Sequence, residues 1–148
     1  MNDPAREAQR WILQAADDLK FVLWIRDEGV FFDKGCFLAQ QAGEKALKAC
    51  LYAVGRRRVI GHSLLEMAMD LCTIPGPFPS LLDSARRLDR FYITARYPNG
   101  LPGGSPYQAF VSDDLHRAAA DAAIVVEAAF EFLRSRGIPV LPSSDSSP

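Results

Sequence analysis

Helical periodicity is the feature that most constrains what this chain can fold into. Apolar and small residues recur at spacings of three and four along five segments, and no segment shows a clear alternation of apolar and polar residues. The first stripe is formed by Ala8, Ile12, Ala15, Leu19 and Val22. The pattern predicts an all-α fold, an antiparallel up-and-down bundle of about five helices.

Capping and breaking residues set the limits of these helices. Asp3 before Pro4 is typical of a helix start, Ser63 with Glu66 spells a capping box, and Pro98 stops the helix that precedes it. Asp33, Ser80 and Ser112 are expected to cap the second, fourth and fifth helices. The predicted helices span residues 3–29, 33–54, 63–72, 80–97 and 112–136.

The composition is that of one folded domain. The chain has 148 residues, of which 49% are hydrophobic and 24% are charged, so a sizeable core is available and disorder is excluded. We expect the bundle to occupy residues 1–137 and the Pro- and Ser-bearing segment 138–148 to be a mobile tail. The net charge of −1 excludes a bulk electrostatic binder of nucleic acid but leaves room for a local basic patch.

The sequence lacks the patterns of a membrane span, a secretory signal and a metal site. No apolar run approaches the ~20 residues that span a bilayer, and no secretory signal opens the chain. Three cysteines and two histidines show no metal-ligand spacing, so neither a metal nor another cofactor is expected, and a reducing cytoplasm is the predicted location. Phosphate-binding glycine loops and nucleophile elbows are also absent from the sequence.

Small residues line one side of the second predicted helix. Ala39, Gly43, Ala46 and Cys50 would let another helix approach closely, either within the chain or from a second copy. The opposite side carries polar residues, namely Gln41, Lys45 and Lys48, with Glu44 and Lys48 spaced as an i,i+4 ion pair.

Alternation of up and down helices predicts a basic end of the bundle. The end of helix two, the start of helix three, the end of helix four and the start of helix five would meet there. The residues brought together would be Arg56, Arg57, Arg58, His62, Arg96, Tyr97, Asn99 and His116.

Each basic group at this end has two interpretations. The run GRRRVIGHS is suited to phosphate contacts, or is a solvated loop. His62 is a candidate general base, or packs over a helix start. Pro98 ends the helix and fixes the two residues before it. Arg96 can clamp a phosphate while Tyr97 stacks on a base. Alternatively, Arg96 interacts with the dipole at the helix C-terminus and Tyr97 anchors the loop.

Three successive strings carry a resemblance to a known family. The strings DDLKFVLWIRDEGVFFDKGCFLAQQAGEKALKACLYAVGR, GHSLLEM and LDRFYITARYP occur in this order, and the chain resembles the HEPN domain (higher eukaryotes and prokaryotes nucleotide-binding) over residues 8–135. The resemblance implies a helical bundle that commonly forms homodimers. It also implies a nucleotidyltransferase subunit as partner, in two-gene modules of toxin–antitoxin type.

The resemblance implies two functions for the basic residues. Many members are metal-independent ribonucleases with an R-x4-6-H motif, which Arg57 and His62 match in spacing, as does the pair of Arg56 and His62. That motif usually opens the last long helix, whereas here it precedes the third. The leading hypothesis is therefore a module that binds a nucleotide or RNA phosphate. Its predicted ligands to the phosphate are Arg56, Arg57, Arg96 and Tyr97.

Two alternatives stay open. In the enzyme alternative, a metal-independent endoribonuclease, Arg57 stabilises the phosphorane and His62 acts as general base in the attack of a 2′-OH. In the third interpretation the bundle has only a structural role, and its exposed faces bind a partner chain.

Overall fold

The fold is all-helical, as predicted. A computed structural model describes residues 3–140, and within this range it contains helices and turns but no strand. The α-helices are α1 (Pro4–Glu28), α2 (Phe32–Ala53), α3 (Leu64–Leu71), α4 (Leu82–Asp89), α5 (Phe91–Thr94), α6 (Pro106–Ala109) and α7 (Ser112–Ser135), with 3₁₀ turns at Phe78–Leu81 and Pro98–Gly100. Five of these helices exceed a single turn, in agreement with the predicted bundle.

The long helices α1, α2 and α7 form the centre of the bundle. Asp3 caps α1 by accepting a hydrogen bond from the backbone of Ala5, and Gly29 ends it with a positive φ of 71°. The predicted stripe on α1 is buried at Ala8, Ile12, Ala15 and Val22. The connection of residues 29–31 is short, so α1 and α2 pack antiparallel and this face of α1 is buried.

The small-residue stripe of α2 serves the chain's own core. Ala39, Gly43, Ala46 and Cys50 are all buried. A Cβ added at Gly43 would lie 2.5 Å from Leu64 Cδ2 and 3.2 Å from Leu88 Cδ1, so α3 and α4 approach α2 at this point. The contact is therefore intramolecular.

The fourth predicted helix is broken in the structure. Residues 80–97 form the end of a 3₁₀ turn, then α4, a break at Arg90 and the single turn of α5. The carboxylate of Asp89, next to the break, adds to the Ser63 N-cap of α3: it accepts hydrogen bonds from Leu64 N at 2.7 Å and Leu65 N at 3.1 Å. Ser80 does not cap α4, because its hydroxyl donates to the carbonyl of Pro77.

Two further caps differ from the prediction. The N-cap of α2 is Phe31, with a φ of 50°, and Asp33 lies inside the first turn. Helix α7 begins after Val111, whose backbone N–H donates to the carboxylate of Asp114 at 2.9 Å. In both places acidic side chains occupy the first turn, where the helix dipole favours them.

The last described residues are packed against the bundle. Ile138 and Val140 are buried, and the side chain of Gln9 donates to the carbonyl of Pro139. The remainder of the predicted tail, 141–148, lies outside the described residues. Between residues 3 and 140 no helix is long and apolar enough to cross a membrane.

Candidate functional site

Arg96 is enclosed by three aromatic rings. Its guanidinium carbon lies 4.4 Å from the ring centroid of Phe37, 4.5 Å from that of Tyr92 and 5.0 Å from that of Tyr97. Its Nε donates to the carbonyl of Tyr92 at 2.8 Å. We call this arrangement the arginine cage. Stacking on several rings fixes the plane of the guanidinium, so its donors point in defined directions.

The local sequence explains how the cage forms. Helix α5 ends at Thr94, and Pro98 forces the preceding residue out of helical geometry, so Tyr97 is extended with φ −124° and ψ 135°. Arg96 and Tyr92 are four residues apart and face the same side of this turn. Phe37 comes from α2, which packs against α5.

The guanidinium of Arg96 has no acidic partner in the part of the chain that the structure describes. Nε is the donor in its hydrogen bond to Tyr92, and neither terminal nitrogen is within ion-pair distance of a carboxylate of residues 3–140. Most other arginines of the bundle face an aspartate or glutamate, for example Arg87 with the buried Asp121 at 2.8 Å. An oriented cation without a neutralising carboxylate is suited to an anionic ligand.

His62 lies beside the cage. Its imidazole stacks on the ring of Tyr92, with centroids 4.6 Å apart and an interplanar angle of 18°. Its Nδ1 lies 3.2 Å from Glu44 Oε2. The side chain is 54% exposed, so the other ring nitrogen, Nε2, is available to solvent or a ligand. His62 and Arg96 thus contact the same tyrosine ring.

A buried carboxylate holds His62 in place. The side chain of Glu44 is only 7% exposed, and its Oε2 also accepts from Lys48 Nζ at 3.0 Å. Gln40 and Gln41 donate to Oε1 at 3.1 and 3.3 Å. The side of α2 interpreted as polar in the sequence therefore carries a buried network, which positions the imidazole through Glu44.

The basic run of residues 56–58 does not join the cage. Arg56 and Arg58 line a cavity of about 290 Å³, whereas Arg96 lines a separate cavity of about 530 Å³, and no residue lines both. Arg57 is exposed and makes no ion pair with residues 3–140. Of the residues predicted to meet at one basic end, the structure brings His62, Arg96 and Tyr97 together. It places Arg56 and Arg58 at a different cavity. The loop after α2 turns back along that helix and brings His62 to Gln40 and Glu44.

Arg56 is already engaged by an aspartate. Its Nη1 and Nη2 donate to the two carboxylate oxygens of Asp70 at 2.6 and 2.8 Å. The side-chain hydrogen bonds from Arg56 hold the pKa of Asp70 below its ordinary value and raise the pKa of Arg56. This fork uses one N–H of each terminal nitrogen, so a phosphate at Arg56 would compete with Asp70 for the guanidinium.

This ion pair predicts a pH-dependent stability difference. The folded-state pKa of Asp70 is lowered, so the stability it contributes is present above the ordinary value of 3.8 and is lost as the pH falls through the folded value. Asp70→Asn should lower the free energy of unfolding at pH 7 by no more than ~1 kcal/mol, since both side chains are partly exposed. Urea unfolding of the wild type and of Asp70→Asn at pH 7 and pH 3 measures this effect. A difference in unfolding free energy between the two proteins that is larger at pH 3 than at pH 7 would contradict the prediction.

Other candidate groups lie apart from the site. Burial raises the pKa of the Cys36 thiol to about 12, and burial also raises the pKa of Cys50, so neither is an activated nucleophile. His116 contacts Ser112 in the first turn of α7. No group of three or more His, Cys, Asp or Glu residues between positions 3 and 140 is arranged to hold a metal ion.

The comparison with family models decides the family. The model of the HEPN domain matches residues 8–133. This chain belongs to the HEPN domain family. Membership supports a nucleotide-binding or RNase-like module, and it confirms the resemblance carried by the three strings. No protein of curated function is significantly similar in sequence to this HEPN chain.

Solved structures of similar proteins agree with this assignment. TT1696 from Thermus thermophilus is 30% identical with a TM-score of 0.75, over 85% of this chain and 98% of its own. ST0689, an archaeal HEPN homologue, is 28% identical with a TM-score of 0.70, over 86% and 98%. The HEPN domain protein tm0613 from Thermotoga maritima is 27% identical with a TM-score of 0.64, over 84% and 98%.

Sequence reasoning singled out Arg96, Tyr97 and His62 but missed the residues that position them. These are Glu44, Phe37 and Tyr92. The signal was present, because Phe37 and Glu44 are two turns apart on one face of α2 and Tyr92 is one turn before Arg96.

Proposed function

We propose that this HEPN protein is a module that binds the phosphate of a nucleotide or of RNA, with Arg96 as the anchor. The observation that carries the proposal is the arginine cage: a guanidinium oriented by three rings with no acidic partner among residues 3–140. Bidentate hydrogen bonds from such a group match phosphate oxygens. Tyr97, half exposed beside Arg96, supplies a surface on which a neighbouring base of an RNA can stack.

The basic run has a secondary role in this proposal. Arg57 is exposed and lies on the loop that leads to His62, so it adds a phosphate contact for a ligand longer than one nucleotide. Arg56 takes no direct part while Asp70 holds both of its terminal nitrogens. We infer a cytoplasmic location from the free thiols of the three cysteines, which suit a reducing compartment.

The same proposal includes a homodimer and a nucleotidyltransferase partner, as in two-gene modules of toxin–antitoxin type. Family membership is its main support. A further support is the apolar surface on the outer face of α1, where Leu13 and Trp24 are 43% and 55% exposed. Exposed apolar residues at helical spacing are suited to a protein–protein contact.

The salt dependence of RNA binding tests the proposed function. Wild-type protein titrated into a fluorescently labelled single-stranded RNA should bind more weakly as salt increases. The slope of log K against log salt should be roughly −0.7 for each phosphate neutralised. Fluorescence anisotropy measures this slope. A folded protein that does not bind RNA or nucleotides at low salt would contradict the proposal.

The second candidate function is a metal-independent endoribonuclease. The observation in its favour is the contact of Glu44 with His62 Nδ1, which leaves Nε2 free to accept a proton. In this reaction Nε2 takes the proton of a ribose 2′-OH, the 2′-oxygen attacks phosphorus, the bond to the 5′-oxygen breaks and that oxygen takes a proton from water. The products are a 2′,3′-cyclic phosphate and a 5′-hydroxyl, and Arg57 stabilises the charge on the phosphoryl oxygens.

Cleavage assays in a chelator separate the two functions. Under the proposed binding function, wild-type protein leaves labelled RNA intact. Cleavage by the wild type that is lost in both Arg57→Ala and His62→Ala would establish the endoribonuclease instead. Arg86→Ala is the matched control, because Arg86 is an exposed arginine paired with Asp83 on the surface of α4.

A further inference from the structure

The cavity beside the arginine cage has features that a phosphate anchor does not use. Its volume is about 530 Å³, within the range of ligand pockets. Its walls are largely apolar, formed by Phe21, Ile25, Phe37, Leu38, Pro98 and Pro106. Three charged residues, Asp33, Lys34 and Arg96, also line it. An anchor for phosphate alone requires neither an apolar chamber nor a carboxylate.

Asp33 supplies a buried hydrogen-bond acceptor in this cavity. The residue is 5% exposed and lies in the first turn of α2. Lys34 Nζ reaches its Oδ2 at 3.1 Å, while no residue between 3 and 140 donates a hydrogen bond to Oδ1. A buried carboxylate oxygen without a donor is costly, so a donor supplied by a ligand is favoured at this position.

We propose that this cavity binds the guanine base of a nucleotide whose phosphate is held by Arg96. The inference rests on the proposed function and names its ligand. Guanine carries two adjacent N–H donors on its Watson–Crick edge. Asp33 Oδ1 can accept one of them, and Oδ2 can accept the other with the lone pair that Lys34 does not use. Its planar ring suits apolar walls that include Phe21 and Phe37.

The other bases fit this acceptor less well. Adenine places the unprotonated N1 beside its amino group, and cytosine places N3 beside its amino group, so an acceptor faces the carboxylate in both. Uracil has a single N–H between two carbonyl oxygens. When an acceptor of the base faces the buried carboxylate, one hydrogen bond that guanine would make is lost and both acceptors are left without partners.

The charges at the cavity favour a nucleotide over an uncharged apolar molecule. Arg96 offers terminal N–H donors to an anion, and Asp33 offers an acceptor to a base edge. Lys34 carries a second cation, with a side chain that is 62% exposed. A purely apolar occupant would leave the guanidinium and the free carboxylate oxygen without partners.

Calorimetric titration with GMP and AMP tests the base assignment. GMP should bind the wild type at least about tenfold more tightly than AMP, as expected for one bidentate base contact. Asp33→Asn should bring the two affinities within about twofold of each other. Asp83→Asn, on an exposed aspartate of α4, is the control and should keep the preference. Equal affinities in the wild type, or a preference that survives in Asp33→Asn, would overturn the inference.

Failure of this inference and failure of the proposed function give different results. If GMP and AMP bind equally and Arg96→Ala weakens both, the base assignment is wrong and the phosphate anchor stands. If guanosine binds as tightly as GMP and Arg96→Ala changes neither, the phosphate anchor is wrong. Five-nucleotide RNAs with a central G or A between uridines determine whether the guanine is recognised within RNA or only as a free nucleotide.

Discussion

Arg96→Ala is expected to weaken binding of single-stranded RNA or a nucleotide by about 1–3 kcal/mol, or roughly 5- to 150-fold. The reason is that the cage fixes the guanidinium before a ligand arrives, so little side-chain freedom is lost on binding. Arg96→Lys should recover only part of the affinity, because an ammonium keeps the charge but neither stacks as a plane nor forms two parallel hydrogen bonds.

The controls for this prediction are available in the same chain. Arg86→Ala removes one exposed arginine that is paired with Asp83, and it should leave the affinity within about twofold of the wild type. Thermal unfolding monitored by circular dichroism verifies that both variants fold. Unchanged affinity in folded Arg96→Ala would show that the phosphate is bound elsewhere.

Glu44→Ala is expected to lower the free energy of unfolding by about 3–5 kcal/mol, the effect of breaking a buried ion pair from one side. Lys48 is 9% exposed at its side chain and would be left charged without its carboxylate partner, which now lies at 3.0 Å. Gln40 and His62 would lose hydrogen bonds in the same change. Urea denaturation measures the loss.

A double variant separates the ion pair from the packing around it. Lys48→Met alone leaves Glu44 with its neutral donors, and Glu44→Leu with Lys48→Met replaces both charges by apolar side chains of similar size. The double variant should be more stable than Glu44→Ala, because replacing both members of a buried ion pair by well-packed apolar side chains often leaves the free energy of unfolding unchanged. A loss below about 1 kcal/mol in Glu44→Ala would mean that water or rearrangement compensates Lys48.

Local signals in the sequence predicted most of the fold. Asp3 with Pro4 and Ser63 with Glu66 mark real helix starts, because each pattern satisfies free N–H groups with groups close in the chain. The second cap of α3, Asp89, could not be predicted from the sequence, because it binds that helix end from 24 to 26 residues away. The break in the fourth helix accompanies this long-range contact.

The candidate site was predictable in its residue types but not in its assembly. Arg96 and Tyr97 were singled out because Pro98 dictates their local geometry. The burial of Glu44 and Lys48 was missed, since charged residues at i,i+4 are usually solvent-exposed and only tertiary packing reveals the buried exception. The path of the loop between α2 and α3 also depends on tertiary contacts. The order and direction of the helices therefore could not predict that Arg56 and Arg96 line different cavities.

Chemical-shift mapping of a ¹⁵N-labelled sample titrated with a nucleotide monophosphate determines whether Arg96 is the phosphate anchor. We expect saturable shifts of the Arg96 Nε–H signal and of the backbone amides of Tyr97 and Phe37, with little change at Arg56 and Asp70. Inorganic phosphate should shift the Arg96 signal in the same direction at higher concentration. Saturable shifts confined to Arg56, Arg57 and Arg58, with the Arg96 signal unmoved, would contradict this role of Arg96.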